Sequence, residues 1–226
     1  MKILSGDPPR SWVLTLLLVL TVAALAFAPF LFPGAKPLNV AAKICVFALL
    51  VASYDLLLGY TGVVSFAHTM FYGIGSYGVA LALYNLGPTW GSVFVGLAVA
   101  LPLAALLALA IGLFSLRVQA IFFAMITLAV ASAFAVLASQ MSWLTGGEDG
   151  RTFQIPEVLR PAFTLLPKDV LGVAVTGRTL AYYLVFFGSA VLILLLLRVV
   201  NAPFGRVLPA IRETPFRAEG LGYGIA

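Results

Sequence analysis

His68, the only histidine of the chain, follows Tyr60, Thr61, Gly62 and Ser65 within nine residues. Side chains of these types can hold a metal, activate a nucleophile, or offer hydrogen bonds to a polar solute. The first two need a thiol, a carboxylate or a second imidazole at a matching spacing, and none stands beside His68. Two readings stay open. Either His68 is a hydrogen-bonded residue between packed helices, or it lines a polar path with Tyr60, Thr61, Gly62 and Ser65. Glycine-rich backbone suits the second, because an interrupted helix presents free N–H and C=O groups to a passing solute. Asp55, just upstream, has the same ambiguity. An ionisable group in an apolar span is a functional candidate by default, but one this close to the span's end can simply be hydrated.

Two nucleotide motifs can be set aside. Gly73-Ile74-Gly75-Ser76-Tyr77-Gly78 matches G-x-G-x-x-G, which has meaning only between a strand and a helix of a βαβ unit, and here it falls in an apolar run. Glycines that permit close helix contact are the simpler account. No Gly-x-x-x-x-Gly-Lys-Ser/Thr occurs, so a cofactor role for ATP would belong to another subunit. Lone Cys45 excludes a disulfide framework within the chain and reads as a small buried hydrophobe.

The elements that must position these residues are set by composition. Apolar residues make up 62% of the 226 and charged ones 9%, where soluble domains carry about a quarter charged. Each bilayer crossing takes about 20 apolar residues. The chain is therefore expected to be an all-α integral membrane protein of about six transmembrane helices, at 12–32, 38–58, 63–86, 90–114, 120–141 and 180–197. Ala26-Phe27-Ala28 also resembles a leader cleavage site, although Pro29 follows directly and the apolar run is longer than a usual leader core.

The spans differ in character. In 63–86 Ser, Thr, His and Gly interrupt the apolar sequence, making it the least lipid-like. In 90–114, Gly96, Ala100, Ala104, Ala108 and Gly112 recur at every fourth position, predicting a ridge that a second helix can approach closely, with a kink at Pro102. The Leu-rich 180–197 is the best candidate to face lipid.

Lys and Arg stand singly at the ends of apolar runs, so the net charge of +5 indicates anchoring in the lipid bilayer, not nucleic acid. With the N-terminus cytoplasmic, Lys2, Arg10, Arg117, Arg198, Arg206, Arg212 and Arg217 all fall inside, and the neutral link 142–179 lies outside. In the tail, Thr214 as N-cap and Pro215 at the first helical position predict a short helix ending at Gly220 or Gly222. Pro209 is expected to separate it from what precedes. Such a helix is either a plain surface element or a docking element for a cytosolic partner.

Three separated motifs then agree on a family. Asp55-Leu56-Leu57-Leu58-Gly59-Tyr60-Thr61-Gly62-Val63-Val64-Ser65-Phe66-Ala67-His68, continued by Phe71 to Tyr77, resembles the signature of the permease subunits of branched-chain amino-acid ABC importers. Leu144 to Gly150 with Ile155-Pro156 resembles the extracytoplasmic loop of the M-type permease. Pro203 to Arg206, Ala210 to Glu213 and Arg217 to Gly222 resemble the family's cytoplasmic coupling segment, here 203–224.

The resemblance implies a type II ABC importer fold in the bacterial inner membrane. Its implied partners are a second permease subunit, two cytoplasmic ATPase subunits that bind the ATP, and a periplasmic substrate-binding protein. Arg212, Glu213, Phe216, Arg217, Glu219 and Gly220 are the implied ATPase-coupling residues, and the segment Gly59 to His68 lies near the path. Asp55 departs from the Asn of many relatives. Family members usually continue with further spans, so the chain is expected to be a short or truncated form. Leucine, isoleucine and valine are the implied solutes, with urea and short amides as alternatives, and an ATP-independent carrier or channel is the competing reading.

Overall fold

The computed structural model describes residues 12–32, 34–115, 120–164 and 175–213. It is all-α: nine α-helices, a π-helical turn and a short 3-10 turn, with one isolated bridge between Thr164 and Thr176 as the sole β pairing among the described residues. Four helical stretches, Ala35–Thr61, Trp90–Phe114, Ile121–Gln140 and Gly177–Asn201, are long and apolar enough to cross a membrane. Their outer faces are apolar, as hydrocarbon solvation requires; Leu101 is 66% exposed and Ile121 75%. The chain divides into two compact units, Met1–Thr61 with Val158–Ile225, and Gly62–Glu157.

The first unit contains α1 (Trp12–Ala26), α2 (Ala28–Leu31), α3 (Ala35–Asp55), α8 (Gly177–Asn201) and α9 (Pro203–Glu213). The stretch expected as one span at 12–32 is interrupted at Phe27, two residues before Pro29. Proline has no N–H, so the carbonyl four residues back, that of Leu25, loses its helical partner. The next carbonyl, Ala26, loses its partner as well, because the Phe30 N–H turns to Phe27 at 3.0 Å. Both are recovered from α8: the Tyr182 hydroxyl donates to Leu25 O at 2.5 Å and the Tyr183 hydroxyl to Ala26 O at 3.1 Å. Two adjacent tyrosines thus repair a proline break in a neighbouring helix.

Tyr182 is also the centre of the unit's core, packed with Ala28, Leu38 and Ala41. Leu38 and Ala41 near the start of α3 meet the start of α8, while Ala52 and Leu56 further along meet Ile193 to Val200. The two helices therefore run parallel. Cys45, on the same face of α3, is buried, as its apolar setting predicted. The expectation that 180–197 faces lipid holds only for part of α8, since Thr179, Tyr182 and Ser189 are buried; α1 instead has no buried residue. Leucine content did not reveal the aromatic and hydroxyl face that α8 turns inward.

The second unit contains α4 (His68–Leu86), α5 (Trp90–Ser115), α6 (Ala120–Gln140) and α7 (Ser142–Thr145). Helices α4 and α5 form an antiparallel hairpin. The ridge of small residues is used along only half its length. A Cβ placed on Gly96 would stand 2.7 Å from the Gly78 carbonyl oxygen and 2.7 Å from the Val79 Cα, so the two backbones touch there. Ala100 and Ala104 continue the contact, but Leu107 and Ile111 replace Ala108 and Gly112. Geometry accounts for the change: four residues rotate about 400° at 3.6 per turn, so a strict four-residue ridge winds off the contact face by about 40° per step. Pro102 sits inside the unbroken helix, on its exposed side.

Helix α6 lies parallel to α4, with Val130, Ala131 and Phe134 against Met70 and Ile74. After α7 the chain turns through Gly146 and Gly147, where the Thr145 hydroxyl donates to Ala138 O at 2.6 Å and accepts from the Gly147 N–H at 3.1 Å. Arg151 then lies over the Tyr84 ring at 4.6 Å and donates to the Trp143 carbonyl, which fixes the link to the end of α4.

Candidate functional site

Helix α3 does not simply stop. At Leu56–Thr61 it widens into a π-helical turn, a form found mostly as single turns and frequently at functional sites. The Thr61 hydroxyl donates back to the Leu57 carbonyl. Gly62 follows with φ at 74°, a left-handed conformation that strains any residue with a Cβ, and it turns the chain out of the helix. Residues 62–65 are unwound, and α4 begins at His68.

This break is held from α6. The Phe66 N–H donates to Thr127 Oγ1 at 3.1 Å, and the same hydroxyl donates to Ala124 O at 2.9 Å. Thr127 is completely buried, as is Ala67, and Ser65 is 7% exposed. The unwound backbone is therefore an ordered element with a polar partner, as hydrocarbon surroundings demand.

The five path candidates occupy this one stretch of chain. Tyr60 and Thr61 belong to the π-turn, Gly62 and Ser65 to the unwound segment, and half-buried His68 is the first residue of α4. Tyr60 joins Asp55 in lining a space of about 120 Å³ closed by Ile193, Leu196, Leu197 and Val200 of α8. Exposed Asp55 also lies against the Cα of Gly59, where an added Cβ would be 2.5 Å from its Oδ1.

A larger groove was not anticipated. Thr69, Gly73 and Tyr77 of α4 and Ala131, Phe134 and Ser139 of α6 line about 360 Å³, within the roughly 300–1,000 Å³ typical of small-molecule sites. The signal for it was present in the sequence, since 69, 73 and 77 recur at every fourth position and so lie along one helical face. A third space, about 320 Å³ between Val64, Phe66, Ile121 and Met125, is lined by apolar side chains. Among the described residues no three His, Cys, Asp or Glu side chains converge as metal ligands.

In the tail, α9 is strongly amphipathic. Gly205 is buried and Val207, Leu208 and Ile211 half-buried, while Arg206, Ala210 and Glu213 face outward. Pro209 stands inside α9, which runs on to Glu213, immediately before Thr214. Helix α9 packs on α8 and on the π-turn. Exposed Arg212 reaches back from it and donates to the carbonyl of Gly59. Of the coupling candidates, Arg212 and Glu213 are thereby placed. Phe216, Arg217, Glu219, Gly220 and the short helix expected after Thr214 lie outside the described residues.

Long apolar helices, with no strand among the described residues, make this an all-α membrane protein. The sequence matches the family described as branched-chain amino acid transport system, permease component, over residues 36–226, and the chain belongs to that family. It is a membrane-embedded subunit of a transport system. No curated protein and no solved structure matches it.

Proposed function

We propose that the chain is the permease subunit of an ATP-driven importer for branched-chain amino acids, with urea or short amides as the alternative solutes. Two separate ATPase subunits bind the ATP, a second permease subunit completes the path, and a periplasmic binding protein delivers the solute. The protein performs no covalent chemistry. It alternates access across a bacterial inner membrane, with the N-terminus and α9 on the cytoplasmic side.

The observation that carries this reading is the ordered, unwound segment at 62–67 between α3 and α4, flanked by Tyr60, Thr61 and His68. An unwound segment is costly in hydrocarbon unless it lines a cavity or is buried in protein, and transporters place such segments at the solute. The groove along Thr69, Gly73 and Tyr77 begins one residue after His68 and offers hydroxyls beside apolar surface, which suits an amphipathic solute.

Reconstitution in liposomes tests the assignment. The expected result is no uptake by the chain alone under any ion gradient, and uptake of leucine, isoleucine or valine once the ATPase, partner permease, binding protein and ATP are present. Uptake by the chain alone would instead make it an ATP-independent carrier.

A further inference from the structure

We propose that Arg212 is a positioning residue that ties α9 to the solute path, holding the π-turn by the Gly59 carbonyl so that displacement of α9 is passed to Tyr60 and Thr61. This rests on the permease reading above and adds the part that transmits the motion.

The last carbonyls of any helix lack an N–H from the next turn. Gly59 stands near the end of the π-turn, and after Gly62 the chain is unwound, so its carbonyl depends on a partner from elsewhere. That partner is the Arg212 guanidinium, 153 residues away in sequence. A charged donor makes roughly twice as strong a bond as a neutral one. On the other side of Gly59 the Asp55 carboxylate covers the Cα. The turn is thus bonded by a base from the tail, with an acid of its own helix packed beside it.

The parallel course of α3 and α8 brings these parts together. Both helices end at the same side of the first unit, and α9 leaves α8 there to pack on the π-turn. A π-turn differs from α-helix by one residue of register, so it has two discrete arrangements available rather than a continuum. Moving α9 would exchange them, and Tyr60 and Thr61 would shift with the exchange. Arg212, though counted among the residues facing the ATPase, therefore acts inward, on the permease's own backbone.

The test uses the complete importer, the chain with its ATPase, partner permease and binding protein, in liposomes. Solute molecules moved per ATP hydrolysed are compared for the parent, Arg212→Lys, Arg212→Gln and Arg212→Ala. In parallel, Tyr60→Cys is labelled with a thiol reagent with and without ATP, native Cys45 being buried. The expected ratio falls in the order Arg, Lys, Gln, Ala, by roughly tenfold or more at Ala, the equivalent of one charge-assisted hydrogen bond. The ATP-dependent change in labelling at position 60 should vanish with it. Equal ratios across the series, or ATP-dependent labelling that survives Arg212→Ala, would overturn the proposal. If Arg212→Ala fails to assemble, Lys and Gln carry the same comparison. A parent complex that moves solute without ATP sinks the permease reading itself, whereas a coupled parent with equally coupled variants removes only the role of Arg212.

Discussion

The hydroxyl of Tyr182 donates to the carbonyl of Leu25, the carbonyl that Pro29 leaves without a helical partner. Tyr183 does the same for Ala26. Removing either hydroxyl leaves an orphaned acceptor in an apolar setting. Tyr182→Phe and Tyr183→Phe should each lower stability in detergent by about 0.6–1.7 kcal/mol, the range of hydrogen bonds between membrane helices. Denaturation midpoints measure this. In a Pro29→Ala background the loss from Tyr182→Phe should shrink, since Leu25 regains an N–H.

Packing at Gly96 should be intolerant. Gly96→Ala puts a methyl 2.7 Å from the Gly78 carbonyl and the Val79 Cα, both backbone atoms that cannot swing aside. Overpacking of this kind costs about 1–3 kcal/mol. Gly112→Ala, with nothing within 4 Å, is the control and should leave the melting temperature unchanged or slightly raised.

At the helix break, Thr127→Val keeps the shape of a fully buried side chain but removes the acceptor of the Phe66 N–H. The expected cost is about 1–3 kcal/mol, with faster amide exchange at Phe66; Thr127→Ser should restore both. Exchange that is unchanged in the valine variant would show that the break does not depend on this bond.

Filling the α4–α6 groove should obstruct a solute. Ala135→Phe adds a ring beside Phe134, and uptake by the assembled importer should fall roughly tenfold if the groove contacts the solute. Wild-type uptake in a correctly assembled variant would move the path elsewhere.

Charge reversal in the tail addresses the partner. Arg217→Glu and Glu219→Lys should each separate ATP hydrolysis from uptake, read as fewer solute molecules per ATP. Normal uptake in both would count against docking by that segment.

Much of this architecture was legible beforehand, because hydrocarbon tolerates few backbone solutions and apolar runs announce their lengths. The polar interruption before His68 was equally visible, since Gly62 and the hydroxyl residues stand out in an otherwise apolar run. What could not be read was pairing across long separations. Nothing local to Tyr182 says that its hydroxyl mends a proline break far upstream, and nothing local to Arg212 says that it turns back to Gly59 and not out toward a partner. The small-residue ridge leaves the contact beyond Ala104 for a different reason: its period of four outruns the 3.6 residues of a helical turn. The groove on α4 lies on a face that polar content along the chain does not reveal and that only the four-residue spacing of 69, 73 and 77 defines.

The pairing of α1 with α8 also has a consequence for biosynthesis. Tyr182 and Leu25 are 157 residues apart, so the ribosome must deliver α8 before the first helices acquire their partner. The middle segment, contiguous from Gly62 to Glu157, can assemble as it emerges. Until α8 is inserted, the nascent amino-terminal helices wait in the bilayer with the Leu25 and Ala26 carbonyls uncapped. That interval is when a membrane protease or a chaperone would find the chain most open.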